Sequence, residues 1–420
     1  MTMRHGFWTA SALIFTSLCR GAEIPQDDSQ GFVAEQYARK IIYHSPQTPG
    51  YTCWVGAWVM PDRSLMVAFS QATGPLKDRP RSRDLLRRMG LNADDTGRDF
   101  TGLDLSNVYL RSTDGGSTWA KTAEAPFTGP LDRAVWGQSH FGLSDGSILR
   151  AVDGSQLPLV PDLPRMIFFQ RSGDLGKTWG SPEIPPEPRR TVADFLGDYG
   201  DCITRVRRLR DGRLIATGVI RPAGPMPRGK GKAPESGEPL VMLSKDEGKT
   251  WEPQRIDLAA GQRGPGVWNE WDCAELPGGD LLCVFRRNDP KNASKQVRWQ
   301  GVLRRRDNAW VLEEYGPSTL EHSGHPELLA TREGVVLHIA TEGIHWTGDA
   351  GKTWNPVIFP GLDKTYRPRN SPTSLRTRYY PRSLQTGDGR IYIFAHAGWD
   401  NAYGEHDQSI VMDAFRLTRK

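Results

Sequence analysis

SKDEGKTW (244–251) is one of four octapeptides with the pattern S/T-x-D-x-G-x-T-W; the others are STDGGSTW (112–119), SGDLGKTW (172–179) and TGDAGKTW (347–354). The pattern predicts a tight turn, because Asp accepts hydrogen bonds from nearby backbone N–H groups and Gly takes a positive φ. The closing Trp is expected to pack onto the following strand. Four such copies predict a repeat architecture.

A second repeat divides the chain into six units. Each unit has a tight turn that leads into an apolar, strand-like run, which is typical of a β-hairpin. The six segments are PDRSLMVAF (61–69), SDGSILRAV (144–152), RDGRLIATG (210–218), PGGDLLCVF (277–285), REGVVLHIA (332–340) and GDGRIYIFA (387–395). They predict an all-β fold, a six-bladed β-propeller of four-stranded antiparallel blades, with a strand at 35–43 closing the ring against the last blade. A β-sandwich with an extra domain is the alternative.

Composition and the N-terminus bear on the class of protein. The chain has 54 Lys and Arg against 49 Asp and Glu, without the clustered basic footprint of a nucleic-acid-binding protein. Arg4, an apolar stretch at 7–18 and the small pair Gly21-Ala22 resemble a secretory signal peptide. We therefore expect residues 1–22 to be removed, the single domain to span 23–420, and the protein to be exported to the periplasm or the medium. No other stretch is apolar enough to cross a membrane.

Two cysteines straddle one hairpin turn. Cys273 and Cys283 lie symmetrically about Pro277-Gly278-Gly279 and are expected to face each other. Buried free thiols are favoured over a disulfide, because four cysteines in the mature chain do not make a disulfide scaffold.

The innermost strand of each blade lines the central channel, and alternate side chains point into it. When the six units are aligned on their turns, the positions six, eight and ten residues upstream share one face. That face carries many ionisable groups: Arg205, Arg378, Arg382, Asp201, Glu270, Asp272, Glu327, His325 and Tyr380, with Trp54 and Trp268 in the same rows. Charged side chains on a buried strand are expected either to form ion pairs or to bind or react with a ligand. The rows predict a binding or catalytic site in the central funnel; a solvated channel lined by salt bridges is the alternative.

One loop has the composition of a sugar site. In AGWDNAYGEHDQSI (397–410), aromatic side chains stand beside carboxylates and amides, and Asp400, Asn401 and Tyr403 are the predicted sugar-binding residues. The loop would also suit Ca²⁺ by composition, but its spacing matches no known metal motif, so no metal and no cofactor are predicted.

The octapeptides resemble the Asp-box, or bacterial neuraminidase repeat, and together with six blades they make the mature chain similar to the sialidase superfamily. The resemblance implies a glycan substrate, a Tyr nucleophile, a Glu that accepts its proton, an Asp acid/base and a clamp of three arginines. Tyr380 in RTRYYPRSL (376–384) stands at the place of the nucleophile, and Glu270 is the matching base. The remaining implied roles fall on Arg205, Arg378 and Arg382 as the clamp and on Asp201 as the acid, with Asp94, Asp95 and Asp99 as other acid candidates.

The sequence also departs from the sialidase pattern. The first inner strand reads YTCWVGAWV (51–59), where sialidases carry an Arg-Ile-Pro motif. The acidic residues Asp272 and Glu327 are unexpected in a pocket for an anion. The substrate is therefore either a sialoside or another sugar.

Three functional interpretations follow. The first is an exported glycoside hydrolase that uses Tyr380 with Glu270, or a carboxylate pair such as Glu270 or Asp272 with Glu327; a lyase using Tyr380 and His325 is a variant of it. The second is a carbohydrate-binding propeller that depends on its aromatic residues and not on the ionisable rows. The third is a scaffold propeller, because a fold does not fix a function.

Overall fold

A computed structural model of the chain describes residues 31–75, 78, 103–126, 139–152, 165–166, 168–183, 189–190, 202–220, 238–254, 256–258, 270–289, 292–306, 309–320, 325–340, 343–361, 380–399 and 407–420. The expected signal peptide, 1–22, lies outside these residues. Among the described residues, no helix is long and apolar enough to span a membrane.

The described residues form β-strands, which we number in chain order. The first half comprises β1 (Phe32–His44), β2 (Tyr51–Val59), β3 (Leu65–Thr73), β4 (Asp104–Ser112), β5 (Ala120–Pro126), β6 (His140–Gly142), β7 (Ile148–Val152), β8 (Arg165–Met166), β9 (Phe168–Ser172), β10 (Arg189–Arg190), β11 (Cys202–Arg208), β12 (Leu214–Ile220) and β13 (Glu238–Ser244). The second half comprises β14 (Glu252–Gln254), β15 (Ile256–Leu258), β16 (Trp271–Glu275), β17 (Leu281–Asp289), β18 (Asn292–Arg306), β19 (Ala309–Pro317), β20 (Glu327–Ala330), β21 (Val336–Ala340), β22 (Gly343–Thr347), β23 (Asn355–Pro356), β24 (Arg382–Gln385), β25 (Arg390–Trp399) and β26 (Asp407–Arg419).

These strands form a six-bladed propeller, which confirms the predicted fold. From the channel outwards the blades are β2-β3-β4-β5, β6-β7-β9, β11-β12-β13-β14, β16-β17-β18-β19, β20-β21-β22-β23 and β24-β25-β26-β1. Two blades depart from four antiparallel strands within the described part of the chain. The second has three strands and an isolated bridge between Phe169 and Glu183, and the fourth gains β15, parallel to β19.

The ring closes through the N-terminal strand, as predicted. β1 pairs antiparallel with β26 from Phe32↔Arg419 to His44↔Ser409, so the start and the end of the chain share the sixth blade. This pairing fastens the two ends of the ring to each other and covers the outer edge of the last strand.

The apolar core lies between blades. Each of the six junctions of neighbouring blades has its own cluster of buried side chains, including Met66 with Ile148, Phe169 with Ile203, Ile215 with Trp271, Leu282 with Leu328, Leu337 with Ile391, and Phe394 with Val67. Face-to-face packing of twisted sheets buries both sides of every blade. The inner strands are thereby held in a fixed ring around the channel.

The four octapeptides form the same hydrogen-bonded turn. In the first copy the Ser112 hydroxyl donates to Asp114 Oδ1 at 2.8 Å and accepts from the Gly116 N–H at 2.8 Å, while Asp114 also accepts from the Thr118 N–H at 2.9 Å. The corresponding bonds recur in the other three copies. Hydrogen bonds from Thr118, first among its partners, lower the pKa of Asp114 to about 2.

The Trp of each octapeptide contacts the preceding blade, where we had expected the following strand. Trp119 meets Phe394, Trp179 meets Tyr109 and Trp251 stacks on Phe169, with ring centroids 5.6, 5.9 and 4.7 Å apart. Trp354 donates to Gln300 Oε1 at 2.9 Å. Each turn therefore fastens one blade to its neighbour as well as ordering its own.

The two cysteines face each other, as the symmetry of their hairpin predicts. Cys273 pairs with Cys283 in the β16–β17 register, and both are buried free thiols. Burial, with Cys273 close by, raises the pKa of the Cys283 thiol.

Candidate active site

Tyr380 and Glu270 meet at one end of the central channel. Tyr380 lies two residues before β24 and Glu270 one residue before β16, so both stand where an inner strand begins. The phenol Oη of Tyr380 donates a hydrogen bond to Glu270 Oε1 at 2.8 Å. Glu270 is 4% exposed and Tyr380 is half-buried. The propeller ring thus joins two groups that are 110 residues apart in the chain.

Arg286 completes this pair and was not among the residues that the sequence predicted. Its Nη1 forms an ion pair with Glu270 Oε2, and its backbone N–H donates to the Glu270 carbonyl oxygen at 3.1 Å. In the hairpin around the turn at 277–280, Arg286 lies opposite Glu270. Extending the hairpin register outwards from the turn would have predicted Arg286 from the sequence. The carboxylate of Glu270 is held between a guanidinium and a phenol.

Three further rings surround Tyr380. Trp54 and His396 have ring centroids 6.3 Å from that of Tyr380, and His325 has its centroid at 5.7 Å. Trp54 adopts φ +54° beside a shift of register between Cys53 and Gly56. A positive φ is an outlier for so bulky a residue, and bulges near functional sites redirect side chains. The bulge in β2 explains why Trp54 turns towards a residue of the sixth blade.

His325 is fully buried at the start of the fifth inner strand. Its Nδ1 lies 2.6 Å from the carbonyl oxygen of Pro326, which can only accept a hydrogen bond, so Nδ1 carries the proton. Burial, followed by the charge of Arg382, holds the pKa of His325 well below its usual value. The imidazole is therefore neutral, and its Nε2 has no hydrogen-bond partner among the residues described.

One step further along the inner strands, a charge network crosses the channel. Glu327 Oε2 accepts from Arg382 Nη1 at 2.8 Å, and Oε1 accepts from Arg205 Nη2 at 2.8 Å. Ser383 adds its backbone N–H and its hydroxyl to Oε1, at 2.7 and 2.6 Å. Burial alone would raise the pKa of Glu327, but the charges of Arg205 and Arg382 outweigh it and lower that pKa.

This network bears on the predicted anion clamp. Both Arg205 and Arg382 are buried and donate to Glu327, so neither presents an uncommitted guanidinium to a ligand. Because Arg205 belongs to the third blade, Glu327 to the fifth and Arg382 to the sixth, the network ties blades across the channel. The geometry gives Glu327 a structural position.

Asp272 has a similar place between the third, fourth and fifth blades. Its Oδ2 accepts from the Leu328 N–H at 2.7 Å and pairs with Arg207, which also donates to the Leu328 carbonyl at 2.6 Å. Asp272 is fully buried. Among the described residues of the charged rows, Arg205, Asp272, Glu327 and Arg382 thus form salt bridges, as the alternative interpretation expects, but these lie buried between blades.

Beyond the network, at the end of the channel where the hairpin turns lie, there is a cavity of about 890 Å³. Trp58, Leu209, Leu329 and Leu384 contribute apolar walls to it. Arg205 and Ser383 also line this cavity, so the charge network stands between it and the Tyr380–Glu270 pair.

The other predicted site residues lie outside the described residues: Asp201, Arg378, Trp268, Asp400, Asn401 and Tyr403, together with Asp94, Asp95 and Asp99. Their roles stay predictions. In the described part of the chain, no group of three or more His, Cys, Asp or Glu side chains could hold a metal ion.

Comparisons with solved structures give proteins of similar fold. An α-L-arabinofuranosidase of Fusarium graminearum, in complex with arabinobiose, aligns with a TM-score of 0.56 at 12% identity over 90% of this chain and 97% of that one. The sialidase NanB of Streptococcus pneumoniae aligns with a TM-score of 0.52 at 12% identity, over 90% of this chain and 70% of that one. A Dyadobacter fermentans protein of unknown function aligns with a TM-score of 0.57 at 17% identity, over 92% of this chain and all (100%) of that one.

Sequence comparisons add no relative. A scan against family models finds no match, and a search of curated protein sequences finds none either. At the identities of the solved structures the likeness establishes the fold and does not extend to activity.

Proposed function

We propose that the protein is a glycoside hydrolase whose reaction centre is the Tyr380–Glu270 pair. One observation carries the proposal: the hydrogen bond of 2.8 Å from the Tyr380 hydroxyl to the Glu270 carboxylate, at the strand-start end of the channel. A nucleophile whose proton already points at a base is the arrangement that covalent catalysis requires. Export through segment 1–22 is part of the same proposal, since extracellular glycans would be the substrates.

The reaction proceeds in two displacements. In the first, Tyr380 Oη bonds to the anomeric carbon, the bond from that carbon to the aglycone oxygen breaks, and the phenolic proton passes to Glu270 Oε1. An acid, for which Asp201 remains the prediction, protonates the leaving oxygen. In the second, the same acid residue takes a proton from water as the water oxygen attacks the anomeric carbon. The bond from that carbon to Tyr380 Oη breaks, and Glu270 returns its proton to the phenolate oxygen.

Arg286 and the surrounding rings support these steps. Arg286 pairs with the second oxygen of Glu270 and fixes the carboxylate so that Oε1 faces the phenol. Trp54, His325 and His396 confine the Tyr380 ring from different sides. Such confinement keeps a nucleophile in the attacking orientation, which accounts for a large part of enzymatic rate enhancement.

The substrate panel follows from two considerations. A neutral phenol avoids the repulsion between a carboxylate nucleophile and an anionic sugar, so α-sialosides belong in the panel. The arabinofuranosidase and the sialidase of similar fold both act on glycosides by name, which favours a glycan substrate and adds α-L-arabinofuranosides. Aryl uronides and neutral pyranosides complete the set.

The test is turnover of that panel by residues 23–420 and by three variants. We expect Glu270→Gln to lower kcat by about 10²- to 10⁴-fold and Tyr380→Phe by about 10³-fold or more. Tyr392→Phe is the matched control, because its hydroxyl donates to the Gly115 carbonyl, away from the pair. Full activity in Tyr380→Phe would keep the hydrolase and refute Tyr380 as its nucleophile. No turnover of any glycoside alongside glycan binding would replace the proposal by a binding propeller.

A further inference from the structure

A buried acceptor beside the reaction centre lacks a donor. The Nδ1–H of His325 is committed to the Pro326 carbonyl, so Nε2 can only accept, and no group within the described residues donates to it. The ring is fully buried and lies 5.7 Å from that of Tyr380. Buried acceptors are nearly always satisfied in folded proteins, and an exception calls for an explanation.

Protonation does not resolve this position. Burial and the charge of Arg382 keep the imidazole neutral near pH 7, so Nε2 does not become a donor that could bind a carboxylate. A ligand group that hydrogen-bonds to Nε2 of His325 must therefore be a donor, such as a hydroxyl.

Three arginines in the described part of the site are already engaged. Arg205 and Arg382 share Glu327, and Arg286 pairs with Glu270. On the first inner strand, Trp54 stands next to Tyr380. Trp54 is 5% exposed, so it contributes an uncharged wall, and such a wall beside a neutral acceptor suits an uncharged sugar ring.

We therefore propose that the substrate is a neutral glycoside, one hydroxyl of which donates a hydrogen bond to Nε2 of His325. This inference rests on the proposed function and names the substrate class of the same site. It makes His325 a specificity-determining residue.

The experiment compares substrates before it compares variants. First, kcat/KM is measured for the neutral aryl glycosides and for 4-methylumbelliferyl α-sialoside. Second, the best neutral glycoside is set against its monodeoxy analogues. We expect the neutral glycoside to exceed the sialoside, and one monodeoxy analogue to lose about threefold to tenfold in kcat/KM, the worth of one neutral hydrogen bond.

Variants then assign the missing bond to His325. On the parent glycoside, we expect His325→Phe to have a kcat/KM lower than that of the wild type by the same factor. On the monodeoxy analogue that the wild type turns over poorly, this variant should show no further loss of kcat/KM. His325→Gln, which keeps an acceptor, should retain more of the discrimination. His345→Phe, in the third strand of the same blade, is the matched control and should discriminate as the wild type does.

The outcomes separate this inference from the proposed function. A sialoside that is the best substrate, with activity lost in Tyr380→Phe, overturns the neutral-sugar inference and leaves the hydrolase standing. The inference also fails if no monodeoxy analogue is impaired in the wild type, which needs no variant to fold, or if His325→Phe discriminates as the wild type does. If no glycoside is turned over, both the neutral-sugar inference and the proposed hydrolase function are wrong.

Discussion

Replacing Glu327 by Gln is expected to destabilise the protein severely. The carboxylate accepts four hydrogen bonds, two of them from buried arginines on different blades. Gln keeps the shape of the side chain but removes the charge, and its amide nitrogen turns a donor towards one of the guanidinium groups. Two buried guanidinium groups lose the carboxylate with which they form ion pairs.

The magnitude follows from the burial of the network. Removing one partner from a buried ion pair costs about 3–5 kcal/mol, because the remaining charge is desolvated and unpaired. Folded domains are stable by about 5–15 kcal/mol in total, so the loss is a large fraction of the free energy of unfolding. Glu183→Gln is the control: its pair with Arg171 is partly exposed, with Glu183 35% accessible, and should contribute less than about 1 kcal/mol.

The assay is urea denaturation followed by tryptophan fluorescence, with kcat measured below the transition on the best glycoside. We expect Glu327→Gln to lower the denaturation midpoint far more than Glu183→Gln does. If Glu327→Gln were as stable as the wild type and yet inactive, the carboxylate would act on the substrate, and the structural position assigned to Glu327 would be wrong.

Two further predictions concern the turns. Gly176→Ala places a Cβ 2.7 Å from the Tyr109 ring at φ +89° and should lower the free energy of unfolding by about 2–4 kcal/mol. Gly212→Ala, also at φ +89° but with open space around it, is the control and should lower it by about 1 kcal/mol. Equal denaturation midpoints for the two variants would contradict the contact between blades. Hydrogen bonds led by Thr178 lower the pKa of Asp174 from 3.8 to about 2, so its carboxylate stabilises the fold above about pH 4 and this contribution is lost as the pH falls through 2. Asp174→Asn should therefore unfold at a lower temperature than the wild type at pH 7, and the gap should narrow between pH 4 and pH 2; a gap independent of pH would refute this.

The fold could be predicted because its signals are local and repeated. Each octapeptide carries the groups of its own turn, and each hairpin carries its own turn and alternation, so the sequence predicted all six blades and the closing strand. The aligned inner strands also brought Tyr380 and Glu270 to one level of the channel, where the structure joins them by a hydrogen bond.

The contacts within the site could not be predicted in the same way. Alignment assigns residues to a face, but it does not say that Glu327 reaches Arg205 across the channel. Arg286 was missed because it lies on a second strand, outside the aligned rows. The alignment placed Trp54 on the face of Tyr380 but did not predict the bulge beside it, and the proton on His325 depends on the carbonyl orientation of Pro326.

The most direct test of the account is to trap the covalent intermediate. A fluorinated glycosyl fluoride of the sugar that is turned over best would be incubated with the enzyme, and the labelled peptide would be sequenced by mass spectrometry. The account predicts one sugar attached to the Tyr380 oxygen and no adduct in Tyr380→Phe. An adduct on Glu270 or on another carboxylate would show that Tyr380 is not the nucleophile.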